Sequence, residues 1–183
     1  MEITPLELPD VLLITPRRFH DGRGWFEETW SQRRMDDAGL RLEFVQDNQS
    51  LSGPAGTVRG LHFQAPPYAQ AKLVRCVAGA ILDVAVDIRR NSPTYGRWVS
   101  AELTAENGAQ LLVPHGFAHG FVTLKPDTSV CYKVDGYYDK DSEGGIRFDD
   151  PDVAIDWGIA NEDAILSDKD RILPPFSELA SVF

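Results

Sequence analysis

The sequence predicts an all-β protein, an antiparallel barrel or sandwich. It does so through the rhythm of its apolar residues and the chemistry of the faces they form. Apolar runs or alternations recur at Leu42–Gln46, Ala71–Val77, Ala80–Ile88, Trp98–Leu103, Gln110–Val113, Ala118–Leu124 and Val130–Val134. Clusters of Gly, Pro, Asn and Asp separate them, as turns separate short strands. Several runs carry a single ionisable residue on an otherwise apolar face, which is how a barrel interior with a few convergent polar groups is written.

Taken in order, the first regular element is a helix over Ser31–Ala38, with Ser31 placed to cap its start and Gly39 its end. Next comes Arg59-Gly60-Leu61-His62-Phe63-Gln64. If Leu61 and Phe63 point one way along a strand, Arg59 and His62 share the opposite face only if Gly60 permits a bulge or twist. In the following strands Lys72 shares a face with Val74 and Cys76, His119 with Phe121 and Thr123, and Tyr132 with Val130 and Val134. The most regular strand divides into an apolar face of Leu82, Val84 and Val86 and a small, acidic face of Asp83, Ala85 and Asp87. From these faces His62, Lys72, Asp83, His119 and Tyr132 are expected to open into one cavity. The C-terminal stretch around Pro174-Pro175 has weak periodicity and many acidic groups, so irregular structure wrapping the core is expected there.

A chain of 183 residues without a Gly/Ser/Pro linker reads as one domain spanning 1–183. It holds no apolar run of membrane-crossing length, and Met1-Glu2-Ile3-Thr4-Pro5 lacks the basic start and apolar stretch of a signal peptide. A cytoplasmic protein is expected. Cys76 and Cys131 both lie inside apolar strand-like runs, where reduced, buried thiols rather than a disulfide are expected. A net charge of −10 opposes broad attraction to nucleic acid. Arg23, Arg59, Lys72 and Arg75 nonetheless lie among apolar residues and can converge on a local anion.

His62 is the residue best suited to chemistry, because an imidazole titrates close to neutrality and takes a proton without a large shift of its pKa. A metal is the first chemistry to test. His62-Phe63-Gln64 and Pro114–His119 resemble the two segments with which cupin barrels bind metals, but Gln64 stands where the second His belongs. An amide oxygen is a poor ligand for the metals that imidazole favours, so metal-independent chemistry is predicted, with His115 read as an exposed turn residue.

Further segments, in order along nearly the whole chain, are Asp21–Glu28, Phe44–Ser50, Arg59–Gln64, Lys72–Arg75, Asp83–Asp87, Pro114–Phe121, Cys131–Lys133 and Ser167–Asp170. Together they resemble the dTDP-4-dehydrorhamnose 3,5-epimerases. The resemblance implies a double-stranded β-helix, a cupin-like jelly roll with a few short helices. It also implies a homodimer, a dTDP-4-keto-6-deoxyhexose substrate, and no metal or organic cofactor. It implies His62 as base, Asp170 as the carboxylate that orients it, Lys72 as partner of the enolate oxygen with His119 nearby, and Tyr132 as acid on the other face of the ring. For the nucleotide and sugar it implies Arg23, Glu28, Gln46, Asn48, Arg59, Glu143 and Lys169, with Phe19 and Phe26 as aromatic surface for thymine. Two departures lie near that subsite: Trp25 where the family often has Phe, and a slightly longer stretch over residues 52–57. A relative that inverts only C3 or only C5, and a non-catalytic sugar-nucleotide barrel, stay open beside the 3,5-epimerase.

Overall fold

A chain whose strands are short and apolar on one or both faces buries those faces by stacking sheets, and this one does so in two. The computed structural model describes residues 1–180 and 183. In chain order the strands are β1 (Glu2–Pro5), β2 (Leu12–Thr15), β3 (Arg18–Asp21), β4 (Gly24–Glu27), β5 (Gln46–Ser52), β6 (Val58–Gln64), β7 (Lys72–Ala78), β8 (Ala80–Asp87), β9 (Trp98–Thr104), β10 (Gln110–Val113), β11 (Phe117–Thr123), β12 (Thr128–Val134) and β13 (Glu143–Gly145). Helix α1 (Gln32–Asp37) follows β4, and α2 (Asp168–Arg171) lies near the C-terminus. A six-stranded sheet, β1-β2-β10-β7-β12-β5, faces a five-stranded sheet, β13-β6-β11-β8-β9, in a cupin-like jelly roll, and β3 and β4 form a separate two-stranded ribbon. No described helix is long and apolar enough to cross a membrane.

The apolar residues form three layers. Between the sheets, Val74, Cys76 and Val130 of one meet Ile81, Ala85 and Phe121 of the other. Behind the five-stranded sheet, Leu61, Phe63, Val84, Val86 and Val122 are covered by Ile146, Phe148, Val153 and Trp157, with Ile159, Leu166 and Phe176 packed alongside. The C-terminal stretch therefore wraps the core, as its weak periodicity suggests. Behind the six-stranded sheet, Ile14, Leu73 and Leu112 are covered by Met35 of α1. Strand β8 is buried on both faces: Leu82, Val84 and Val86 point to the outer layer, while Asp83 and Ala85 point between the sheets.

Three expectations change. Leu42–Gln46 is not a strand; Leu42 and Phe44 alternate because they lie on the outer layer over the six-stranded sheet, and β5 begins only at Gln46. Ser31 holds the N-cap position of α1 but makes no side-chain capping bond there, whereas Gly39 follows the helix with φ +81°, a conformation that suits glycine. Cys131 is only half-buried, because β12 turns it away from the interior that receives Val130, Tyr132 and Val134; both cysteines are free thiols.

Candidate active site

The site begins with an irregularity in β6. Against β11, His62 pairs with His119, but Arg59 pairs with Phe121, so three steps along β6 match two along β11. One extra residue in β6 is a β-bulge, and it rotates the side chains that follow. Gly60 and Gly120 meet inside this bulge: a Cβ on Gly60 would lie 2.6 Å from the Gly120 Cα, and Gly60 has φ +127°. As a result Arg59 and His62, an odd number of residues apart, line the same cavity. The glycine-dependent bulge considered from the sequence is therefore present.

That cavity has a volume of about 460 Å³ and lies between the sheets. His62 and His119 enter it from the five-stranded sheet; Lys72 of β7 and Tyr132 of β12 enter from the six-stranded sheet opposite. Asp170 of α2 closes one side. Its Oδ1 is 2.6 Å from His62 Nε2, and its Oδ2 accepts a hydrogen bond of 2.8 Å from Ser167 Oγ. Ser167 also caps α2, accepting from the Asp170 amide at 3.1 Å, so one serine fixes both the helix start and its carboxylate. Burial pushes the Asp170 carboxyl upward, but the bonds from His62 and Ser167 and the charge of Lys169 outweigh it and hold the group below the ordinary carboxylate range. An ionised carboxylate only accepts, so the His62 proton that meets it sits on Nε2, and Nδ1 is the ring nitrogen left to act as a base.

Lys72 reaches across from β7, with Nζ 3.4 Å from the His62 carbonyl. Burial lowers it from 10.5 to about 8, against the partly compensating charges of Asp83 and Glu143. Tyr132 is shifted the other way. Burial raises its phenol above the ordinary value, offset in part by Arg59, so it holds its proton at neutral pH. Asp83 does not open into the cavity as expected: it is fully buried behind His119, whose Nε2 lies 2.8 Å from its Oδ1. The strand alternation places Asp83 on the inner face, but the imidazole in front of it fills the space.

Of the expected binding residues, Arg59 and Lys169 line the cavity. Arg59 donates to Ser52 Oγ at 3.1 Å and the Leu51 carbonyl at 3.1 Å, tying β6 to β5. Lys169 bonds to Glu143, which also accepts from the Tyr138 hydroxyl at 2.9 Å. Gln46 and Asn48 bond each other at 2.8 Å on the β5 face that carries Ser50, a cavity residue. Arg23, Phe19, Phe26 and Glu28 do not reach the cavity. They sit on or just after the β3–β4 ribbon, where Arg23 turns back onto Asp21, Phe19 and Phe26 pair across the strands with 47 % and 68 % exposure, and Glu28 pairs with Arg34. Gln64 is turned away as well: its amide donates to the carbonyls of Tyr68 and Tyr137 and accepts from the Asp139 amide, clamping two loops. His115 is half-exposed in a turn and pairs with Asp135 at 2.8 Å. Among the described residues no cluster of three or more His, Cys, Asp or Glu is arranged to hold a metal ion. Residue-by-residue reading missed Ser167 and Tyr138. The spacing of Ser167 and Asp170, a helix-capping signal, points to the former; nothing local points to Tyr138.

The family described as dTDP-4-dehydrorhamnose 3,5-epimerase matches residues 5–178. A dTDP-4-dehydrorhamnose 3,5-epimerase of Sinorhizobium fredii is 52 % identical over 187 aligned residues, covering 100 % of this chain and 93 % of that protein. The crystal structure of the Bacillus anthracis enzyme of the same name, with TDP and pyrophosphate bound, is 49 % identical and superposes with a TM-score of 0.92 over 95 % of this chain and 98 % of that one. A 3,5-epimerase of Legionella pneumophila in complex with dTDP-4-keto-L-rhamnose is 39 % identical, with a TM-score of 0.93 over 98 % of this chain and 95 % of that one.

Proposed function

The chain belongs to the dTDP-4-dehydrorhamnose 3,5-epimerase family, and from that premise we propose that it epimerises dTDP-4-dehydro-6-deoxy-D-glucose at C3 and C5 to dTDP-4-dehydro-L-rhamnose. The hydrogens at C3 and C5 flank the C4 ketone, so removing either leaves an enolate with its charge largely on the C4 oxygen. Inverting a centre then requires a proton to leave from one face of the ring and return to the other. The observation that carries the reading is the placement of a His–Asp pair and a protonated phenol on opposite walls of one cavity.

In this reading His62 removes the proton through Nδ1, and Asp170 orients the ring and stabilises its protonated form. Lys72 holds the developing enolate, where a preorganised cation counts most. Tyr132 returns the proton from the opposite wall. Arg59 and Lys169 are assigned to the diphosphate, and Glu143, Gln46 and Asn48 to the base and sugars. Arg23, Phe19, Phe26 and Glu28 do not line the cavity of their own chain, and in this reading they meet the nucleotide of a partner in a homodimer. A nucleotide-sugar substrate is consistent with action in the cytoplasm, and no step calls for a metal or organic cofactor.

Incubation with the 4-keto-6-deoxyglucose nucleotide in deuterated water, followed by NMR, tests the reading. Deuterium at both C3 and C5 with inversion is the expected result. Label at one position selects a monofunctional epimerase, and label at neither selects a binding barrel.

A further inference from the structure

Asp83, paired with a cavity histidine, is a buried ionisable group that the reaction as described leaves without a task. It is fully buried, one carboxylate oxygen lies 2.8 Å from His119 Nε2, and the other, Oδ2, has no hydrogen-bond partner. Taken as a carboxylate, Asp83 can only accept, which puts the imidazole proton of His119 on Nε2. His119 lines the cavity, and with Nε2 turned to Asp83 its other ring edge, bearing Nδ1, is the one left for a ligand. Nδ1 has no protein partner among the described residues and is not among the buried, unpartnered atoms. From this geometry, and on the epimerase reading above, we propose that Asp83 is a positioning residue. It fixes His119 as a hydrogen-bond acceptor that receives a ring hydroxyl beside the ketone, and so keeps His119 from sharing the enolate oxygen with Lys72.

Charge supports this division. Burial lowers the His119 pKa, and the neighbouring Lys72 and His62 lower it further against the opposing pull of Asp83, so the ring is neutral near pH 7. A neutral imidazole offers one donor and one acceptor, and Asp83 has taken the donor. The lone pair at Nδ1 repels a carbonyl or enolate oxygen and attracts a hydroxyl. Lys72, with three N–H donors and no acceptor, has the opposite preference. Placed together, they distinguish the ketone from the neighbouring hydroxyl and set how the ring lies over His62.

The proton position in the intact wild-type protein is measurable by ¹⁵N NMR of the histidine rings at pH 7, with the His119 signals assigned by their loss in His119→Asn. A proton on Nε2 and none on Nδ1 is expected; a proton on Nδ1, alone or in addition, overturns the proposal. Asp83→Asn supplies the functional arm. Its amide can donate to Nε2 and drive the ring proton to Nδ1, so a reversed NMR pattern is expected. With it should come a loss of about tenfold or more in kcat/KM for the keto-sugar nucleotide, while dTDP affinity stays within about twofold. A reversed ring with unchanged kcat/KM would refute the role. If Asp83→Asn does not fold, the wild-type spectrum still decides the proton position. A wild-type protein that leaves the keto-sugar nucleotide unchanged would instead remove the epimerase reading, and the ring-proton result would stand apart from it.

Discussion

Replacing Lys72 by Met should separate activity from stability, because the same burial that makes the ammonium useful makes it costly. Lowering its pKa from 10.5 to about 8 corresponds to about 3 kcal/mol against the charged form. Since Lys72 faces the cavity and part of that cost is screened by water, a gain of roughly 1–3 kcal/mol in folding stability at pH 7 is expected for Lys72→Met. The sign follows from linkage. The unfolded chain binds this proton up to pH 10.5 and the folded one only up to about 8, so the penalty is complete below 8 and fades as pH rises through that window. Denaturant unfolding at pH 7 and pH 10.5 should show the gain at the lower pH and little at the higher. Catalysis should move the other way: loss of one donor to a developing oxyanion costs about 10²–10³ in kcat. In the wild type, kcat/KM should fall along a basic limb near pH 8, dropping about tenfold between pH 7 and 9 as the ammonium is lost. Lys72→Arg, whose charge persists, should move that limb upward. A Lys72→Met enzyme with kcat within tenfold of wild type, or a wild-type profile flat from pH 7 to 9, would refute the role given to this residue.

His62→Ala should lower deuterium uptake at C3 and C5 together by at least about 10²-fold, since no enolate forms without proton removal; uptake surviving at one carbon would mean a second base. Tyr132→Phe keeps the ring and loses the hydroxyl, so exchange should continue while inversion falls sharply, and inversion of both centres at the wild-type rate would remove Tyr132 from the mechanism. Gly60→Ala puts a Cβ against the Gly120 backbone at positive φ, with an expected loss of about 2–4 kcal/mol in chemical denaturation; a neutral result would show that the bulge relaxes without cost. Prolonged chelation should leave the rate unchanged, and restoration of activity by one added transition metal would contradict metal-independent chemistry.

Strand faces were legible because a β-strand repeats every two residues, so local order alone puts Lys72, His119 and Tyr132 on the apolar inner faces. The bulge at Gly60 was legible for the same reason, as the one way for Arg59 and His62 to share a side. Strand β5 was not. It reads Gln-Asp-Asn-Gln-Ser-Leu-Ser at the edge of the six-stranded sheet, and an edge strand with polar residues on both faces leaves no hydrophobic period to find. Strands β1 and β2 were not read from the sequence either; the ribbon β3–β4 escaped because most of its residues are exposed, and β13 for want of length. Leu42–Gln46 misled because alternation reports one-sided burial, which a segment lying across a sheet achieves without joining it.

By itself the sequence determined which ionisable side chains, Lys72, His119 and Tyr132, lie on the apolar inner faces of their strands, since that follows from residue type and local geometry. Only the tertiary structure brought Asp170 to His62 across 108 residues of chain, put Tyr132 on the wall facing His62, and turned Gln64 away to clamp two loops. It also buried Lys72 deeply enough to bring its pKa to about 8 and hid Asp83 behind His119. These outcomes depend on how two sheets stack and on what each stack excludes from water, quantities that no local pattern contains.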